Sequence, residues 1–201
     1  MLENHQRQEL YRFFAKIFTY PDADLLESLD DELNAAAAIL GLELPERRAG
    51  QALEDLSIAY TELFISRFGG VPAPPYGSVY LEEDRQLMGQ TTQYVLQAYE
   101  GEGLSHAQGG EPPDFIATEM EFLYFLVGQE IAAEDAGERE TALAARQKQI
   151  DFCHTLLQPW VRLFSQRLLE VEDAEPLYRW AGRGLLAFCR HEEELYGVAE
   201  S

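Results

Sequence analysis

Lysine and arginine are scarce in this chain. There are 15 of them against 36 aspartates and glutamates, a formal net charge of −21 over 201 residues. Phosphate recognition rests on clustered cations, so nucleic-acid binding is excluded and a basic partner is the natural counterpart. The deficit is also uneven: from Gln86 through Glu138 there is no Lys or Arg at all, while Glu100, Glu102, Glu111, Asp114, Glu119, Glu121, Glu130, Glu134 and Asp135 fall inside. Any one of these acids reads most simply as solvated surface. Together they make a long interval without cations.

Other absences narrow the field further. No uninterrupted apolar segment approaches the roughly 18 residues a membrane span needs, so no integral membrane segment is expected. The opening "MLENHQRQELYRFF" lacks the basic start, apolar core and small-residue cleavage site of an export signal, and cytoplasmic residence is the expectation. Only Cys153 and Cys189 occur, outside any CxxC spacing and within helical patterns, as expected of reduced core thiols. His5, His106, His154 and His191 stand apart without HExxH or ExxH spacing, so neither a zinc site nor a di-iron bundle is predicted. No P-loop and no GxSxG motif is present, and "GRGLLA" at 182–187 lies inside a helical pattern with no preceding strand, so its glycines read as close-packing positions. The chain is therefore read as no enzyme, with no cofactor and no metal.

What is present is helical periodicity. Leu10, Phe13, Phe14, Ile17 and Phe18 form a stripe that stops before Pro21, and Leu26, Leu29 and Leu33 continue in a second helix up to Gly41. Ala52, Leu56, Ala59, Leu63 and Phe64 mark a third, closed by Gly69 and Gly70. "VPAPPYG" is too rich in proline and glycine to be helical. Met88, Val95, Ala98 and Tyr99 suggest another helix, followed by the connection "GEGLSHAQGG". After Gly137 come stretches carrying Leu143, Ile150, Cys153 and Leu157, then Pro159 with Trp160, Phe164 and Leu168, then Pro176 with Leu177, Trp180, Gly184 and Phe188. No strand pattern and no repeat period appears. The reading is one all-α globular domain over residues 1–201, with flexible loops near 69–77 and 101–111.

The segment "EPPDFIATEMEFL" at 111–123 carries the sharpest signal. Asp114 is placed to cap a central helix beginning beside it. Phe115, Phe122 and Leu126 make one apolar stripe and Ile116, Met120, Leu123 and Val127 another, so this helix should be buried over most of its circumference. Glu119 and Glu121 lie about 200° apart around it, so at least one must be partly enclosed. An enclosed carboxylate finds an internal partner, takes a proton, or waits for a cationic ligand.

The loop and the central helix carry a resemblance. "PPYGSVYLEEDRQLMGQTT" at 74–92 and "EPPDFIATEMEFL" are similar to the proline-aromatic SVY segment and the E-P-x-D-H-x-x-x-E-L-x-F-L signature of the TorD/DmsD family of redox-enzyme maturation chaperones. "FCHTLLQPWVRLF" and "LYRWAGRGLLAF" are similar to two further elements of that family, and the resemblance spans nearly the whole chain. It implies an all-helical fold of the TorD/DmsD-like type and no catalysis. It also implies a groove for the twin-arginine leader of a molybdopterin-dependent oxidoreductase precursor of the dimethyl sulfoxide reductase type, shielded until its cofactor is inserted. The site positions it implies are Tyr76, Ser78 and Tyr80 from the loop and Glu111, Pro112, Asp114 and Glu119 around the start of the helix. Phe115 stands where the family pattern has histidine, so no role of that imidazole carries over to this chain.

Such a leader is a basic pair followed by a moderately apolar stretch, and these residues are complementary to it. Asp114 or Glu119 would pair with guanidinium, and Tyr76, Tyr80, Phe115 and Phe122 would supply stacking and apolar contact. Plainer roles stand beside these: Tyr76 and Tyr80 as packing aromatics, Ser78 as a helix cap, Pro112 and Pro113 as shapers of the turn. The alternative function is a non-catalytic assembly or scaffold subunit of an oxidoreductase complex, and both a monomer and a domain-swapped dimer are compatible with the long loops.

Overall fold

A computed structural model describes residues 2–46, 52–83, 88–107 and 109–196. Within those residues the chain forms nine α-helices and no named strand: α1 (Asn4–Ile17), α2 (Ala23–Leu40), α3 (Leu53–Tyr60), α4 (Ser78–Leu81), α5 (Gln90–Gly101), α6 (Ile116–Asp135), α7 (Arg139–Phe152), α8 (Gln158–Glu170) and α9 (Pro176–Tyr196). α3 and α7 each run on into a wider π turn, Thr61–Ile65 and Cys153–Leu157. The all-helical reading holds.

Local sequence sets most of these boundaries. Asp22 accepts the Leu25 N–H at 2.8 Å and opens α2, and Gly41 closes it with φ +63, where a residue without Cβ is unstrained. Pro159 sits in the first turn of α8, where its missing N–H costs nothing. α6 buries residues around most of its surface, from Ile116 through Ala133, and packs chiefly on α1 and α7, while α8 pairs with α9. Gly184 is a close-packing position: a Cβ there would lie 3.1 Å from Phe14 Cζ. The expected role for that glycine stands, and the nucleotide reading of "GRGLLA" has no strand beside it among the described residues.

Some expectations need correction. α6 does not begin at Asp114. It starts at Ile116 with Phe115 as N-cap, and no side chain caps it. Met88 lies outside α5 with φ +67, and Leu143 is exposed because α7 turns Ala142, Ala145, Gln149 and Phe152 inward instead. Asp84–Leu87, inside the loop segment that carries the resemblance, lie outside the described residues, as does Gln108.

The end of the molecule away from the start of α6 is tied by ions. Arg7 is wholly buried, its guanidinium donating to both carboxylate oxygens of Glu192 at 2.6 and 2.8 Å and to Gln149 at 2.8 Å. Tyr11 donates to Glu192 at 2.6 Å, and Glu130 accepts from Arg146 at 2.7 Å and Gln149 at 2.9 Å. Four helices, α1, α6, α7 and α9, therefore meet on a polar cluster in which both buried carboxylates have cationic partners.

Candidate functional site

The two segments that carry the resemblance are clasped together. The Gly77 N–H donates to the Asp114 carbonyl and the Ile116 N–H to the Pro75 carbonyl, both at 2.9 Å, so Tyr76 and Phe115 face each other in a single antiparallel bridge. Their rings pack 5.6 Å apart. This bridge fixes the proline-rich loop against the start of α6.

Asp114 makes the clasp three-way. It is fully buried, and its carboxylate accepts the Ser78 N–H at 2.7 Å and the Thr92 hydroxyl at 2.9 Å. Asp114 thus caps α4 and secures α5, in place of capping α6. Ser78 is itself the first residue of α4, its hydroxyl buried without a hydrogen-bond partner among the described residues, so the expected capping role passes from Ser78 to Asp114. Behind them Tyr99 donates to the Pro113 carbonyl at 2.9 Å.

Glu119 is likewise fully buried. The Trp160 indole N–H donates to its Oε2 at 3.3 Å, and a Cβ on Gly77 would lie 2.9 Å from that same indole nitrogen, so only glycine lets the loop pass so close. Burial, and secondarily the neighbouring Asp114 carboxylate, raises the Glu119 carboxyl well above the ordinary range. Burial thus disfavours its ionised form. Neither Asp114 nor Glu119 therefore presents a surface to a peptide, which corrects the expectation that one of them meets a guanidinium directly.

The remaining positions lie nearer the surface. Tyr76 is half-buried and donates to Glu111 Oε2 at 2.7 Å; its hydroxyl is pushed up by burial first and by Glu111 second. Tyr80 stacks on Trp160 at 5.7 Å between ring centres, with the Arg167 guanidinium 4.7 Å from the centre of its ring. Pro112 is half-buried in the turn whose carbonyl accepts the Phe115 N–H.

Glu111, Phe115 and Phe122 line a cleft of about 460 Å³ between α6 and the 102–111 connection, together with Thr19, Tyr99, Leu104, His106, Ala117, Thr118 and Glu121. His106 Nε2 donates to the Glu111 carbonyl at 2.7 Å and Lys148 pairs with Glu102 at 2.7 Å, which anchor that connection. No Lys or Arg lines the cleft. A second cleft of about 500 Å³ adjoins it, formed by α1, the start of α2 and α6, and the two share Thr19 and Glu121. Sequence reasoning singled out neither Thr19, Tyr20 and Tyr124 nor Glu121 as contact residues; the only signal for Glu121 was its place about 200° round the helix from Glu119. The Glu121 side chain opens to solvent, yet enough protein surrounds it that desolvation lifts its carboxyl above the usual value. Among the described residues no group of three or more His, Cys, Asp or Glu side chains gathers as a metal site would, and no helix is long and apolar enough to cross a membrane.

Comparison with known proteins agrees with this architecture. A sequence family described as nitrate reductase delta subunit matches residues 22–166. A "Chaperone protein TorD" of a Psychrobacter species is 26% identical, the match covering 98% of this chain and 95% of that protein. One of Photobacterium profundum is 29% identical over 93% of this chain and 92% of that one. The crystal structure of a "Putative Redox Enzyme Maturation Protein" from Archaeoglobus fulgidus matches with a TM-score of 0.58 and 27% identity, over 96% of this chain and 97% of the other. The chain belongs to the nitrate reductase delta subunit family, among relatives of the TorD type of redox-enzyme maturation chaperone that its loop and central helix resemble.

Proposed function

We propose that this chain is a cytoplasmic, non-catalytic chaperone for the precursor of a molybdopterin-dependent oxidoreductase of the dimethyl sulfoxide reductase type, holding its twin-arginine leader until cofactor insertion is complete. The observation that carries the reading is the cleft beside α6: carboxylates and aromatic rings line it, no lysine or arginine does, and the 111–123 segment, bridged to the proline-rich loop through Phe115 and Tyr76, builds one of its walls. A basic pair followed by apolar residues is complementary to such a surface, the cations meeting its carboxylates and the apolar part lying against the wall that Phe115, Phe122 and Tyr99 form. Tyr76 orients Glu111, Pro112 shapes the rim, and Tyr80 packs behind with Trp160. Ser78, Asp114 and Glu119 hold the frame without touching the client.

Copurification tests this reading. Cells deprived of molybdenum should yield the cofactor-free precursor bound to the chaperone, and replacing the paired arginines of its leader by lysines should weaken capture, since lysine cannot reproduce the planar two-pronged contact. Stoichiometric, lasting association with the mature, cofactor-loaded enzyme would instead favour the assembly-subunit reading, and recovery of no oxidoreductase at all would refute both. Size-exclusion chromatography of the complex separates a monomeric from a domain-swapped chaperone.

A further inference from the structure

The two clefts on either side of Glu121 form one groove, and the residues along it differ in how free they are. Asp22 is engaged in capping α2, accepting the Leu25 N–H. Glu111 accepts the Tyr76 hydroxyl. The cations at the α1 side are also occupied: Arg12 pairs with Glu9 at 2.6 Å, and Lys16 holds Glu32 at 3.2 Å, the Ser28 hydroxyl and the Asp24 carbonyl. Glu121 and Asp24 have no side-chain hydrogen-bond or ion-pair partner among the described residues, and of the two only Glu121 is common to both clefts.

We propose that Glu121 is the cation-recognising residue of this groove: an extended peptide crosses both clefts with an arginine side chain seated on the Glu121 carboxylate, and its apolar residues run along Phe122, Phe115 and Tyr99. The inference rests on the client-binding reading above and assigns the residue that decides it. Three features support the assignment. The side chain opens to solvent and is reachable, while the protein around it raises its carboxyl above the usual value, so a guanidinium seated there favours the charged form. Tyr20 and Tyr124 stand beside it in the second cleft with their rings exposed, and an exposed ring suits the flat face of a guanidinium. The two fully buried acids of the motif segment, Asp114 and Glu119, are out of reach, which leaves Glu121 as the unpaired acid that α6 presents to the groove.

The probe is a synthetic peptide carrying two adjacent arginines followed by about ten moderately apolar residues, titrated calorimetrically into wild-type protein, Glu121→Gln, and Glu172→Gln as a remote variant of equal charge change. Glu121→Gln should weaken binding about tenfold at low salt and flatten its salt dependence, the size expected for loss of one charge-assisted contact, while Glu172→Gln stays near wild type. Affinities of wild type and Glu121→Gln within twofold of each other would overturn the assignment. Precursor copurification with the same variants keeps the two claims apart. Capture of the precursor equally by wild type and Glu121→Gln leaves the chaperone reading standing and removes Glu121 from it. Glu121-dependent binding of the peptide without capture of any precursor keeps the cation subsite and removes the chaperone reading. Absence of both refutes both.

Discussion

The two ends of α6 bury acids in opposite ways. Near its C-terminus Glu130 receives Arg146 and Gln149 directly, with the Arg7 guanidinium 3.7 Å away, and the adjoining Glu192 is gripped by Arg7 from both oxygens. Near its N-terminus Glu119 meets only an indole N–H and its carboxyl is raised by burial, and Asp114 is satisfied by a backbone N–H and a hydroxyl. A chain with 15 cations for 36 acids buries Arg7 at one end, and among the described residues no cation is fully buried at the other. The lesson is that the buried acids of this end, Asp114 and Glu119, are held without counter-charges, while Glu121 stays open at the surface above them.

The largest effect is expected from breaking the well-paired end. Arg7→Met should cost about 3–5 kcal/mol in urea unfolding, because it strands the Glu192 carboxylate in the core; a loss below about 1 kcal/mol would mean the cluster is not closed to water. At the other end, Asp114→Ala leaves the Ser78 N–H and the Thr92 hydroxyl without their acceptor and should cost about 2–3 kcal/mol. Its signature is local: amide exchange should rise first at residues 76–81, where the clasp holds the loop, and a uniform rise across the fold would contradict that placement.

The third test uses pH. The Glu119 carboxyl is raised in the folded protein, so above the ordinary carboxylate range the unfolded chain has released a proton that the native state keeps. Stability should therefore fall as pH rises from that range toward the folded value, with a slope of at most about 1.4 kcal/mol per pH unit for this one group. Glu119→Gln removes that slope: it should be stabilising relative to wild type at neutral pH and show little difference at pH 4, by thermal melting at both. Equal melting differences at the two pH values would show that the Glu119 carboxyl is not raised in the folded protein.

Most of the architecture was legible because it is local. The stripes of α1 and α2, Gly41 past the end of α2, Pro159 in the first turn of α8 and the small residues of α9 each follow from spacing within one turn or two. The site was less legible because its contacts are not. Asp114 looked like the cap of the helix next to it, but its acceptor oxygens turn to Ser78 and Thr92, 36 and 22 residues back along the chain. Glu119 and Glu121 were correctly separated by helical angle, yet which of them faces the interior depends on α8 bringing Trp160 against one side. Arg7 left a readable trace, a charge standing in register with Leu10 and Phe14 on the apolar stripe, but its partner Glu192 is 185 residues away.

The placement of Trp160 has a practical consequence. The chain has two tryptophans, and the other, Trp180, donates its indole N–H to the Glu43 carbonyl between α2 and α9, away from the motif segments. Trp160 alone lies against the carboxyl of Glu119, under Gly77 and flat on Tyr80. Its ultraviolet emission is thus an intrinsic gauge of the clasp, and a Trp180→Phe protein would give a single-fluorophore signal for loop release or peptide docking without any attached dye.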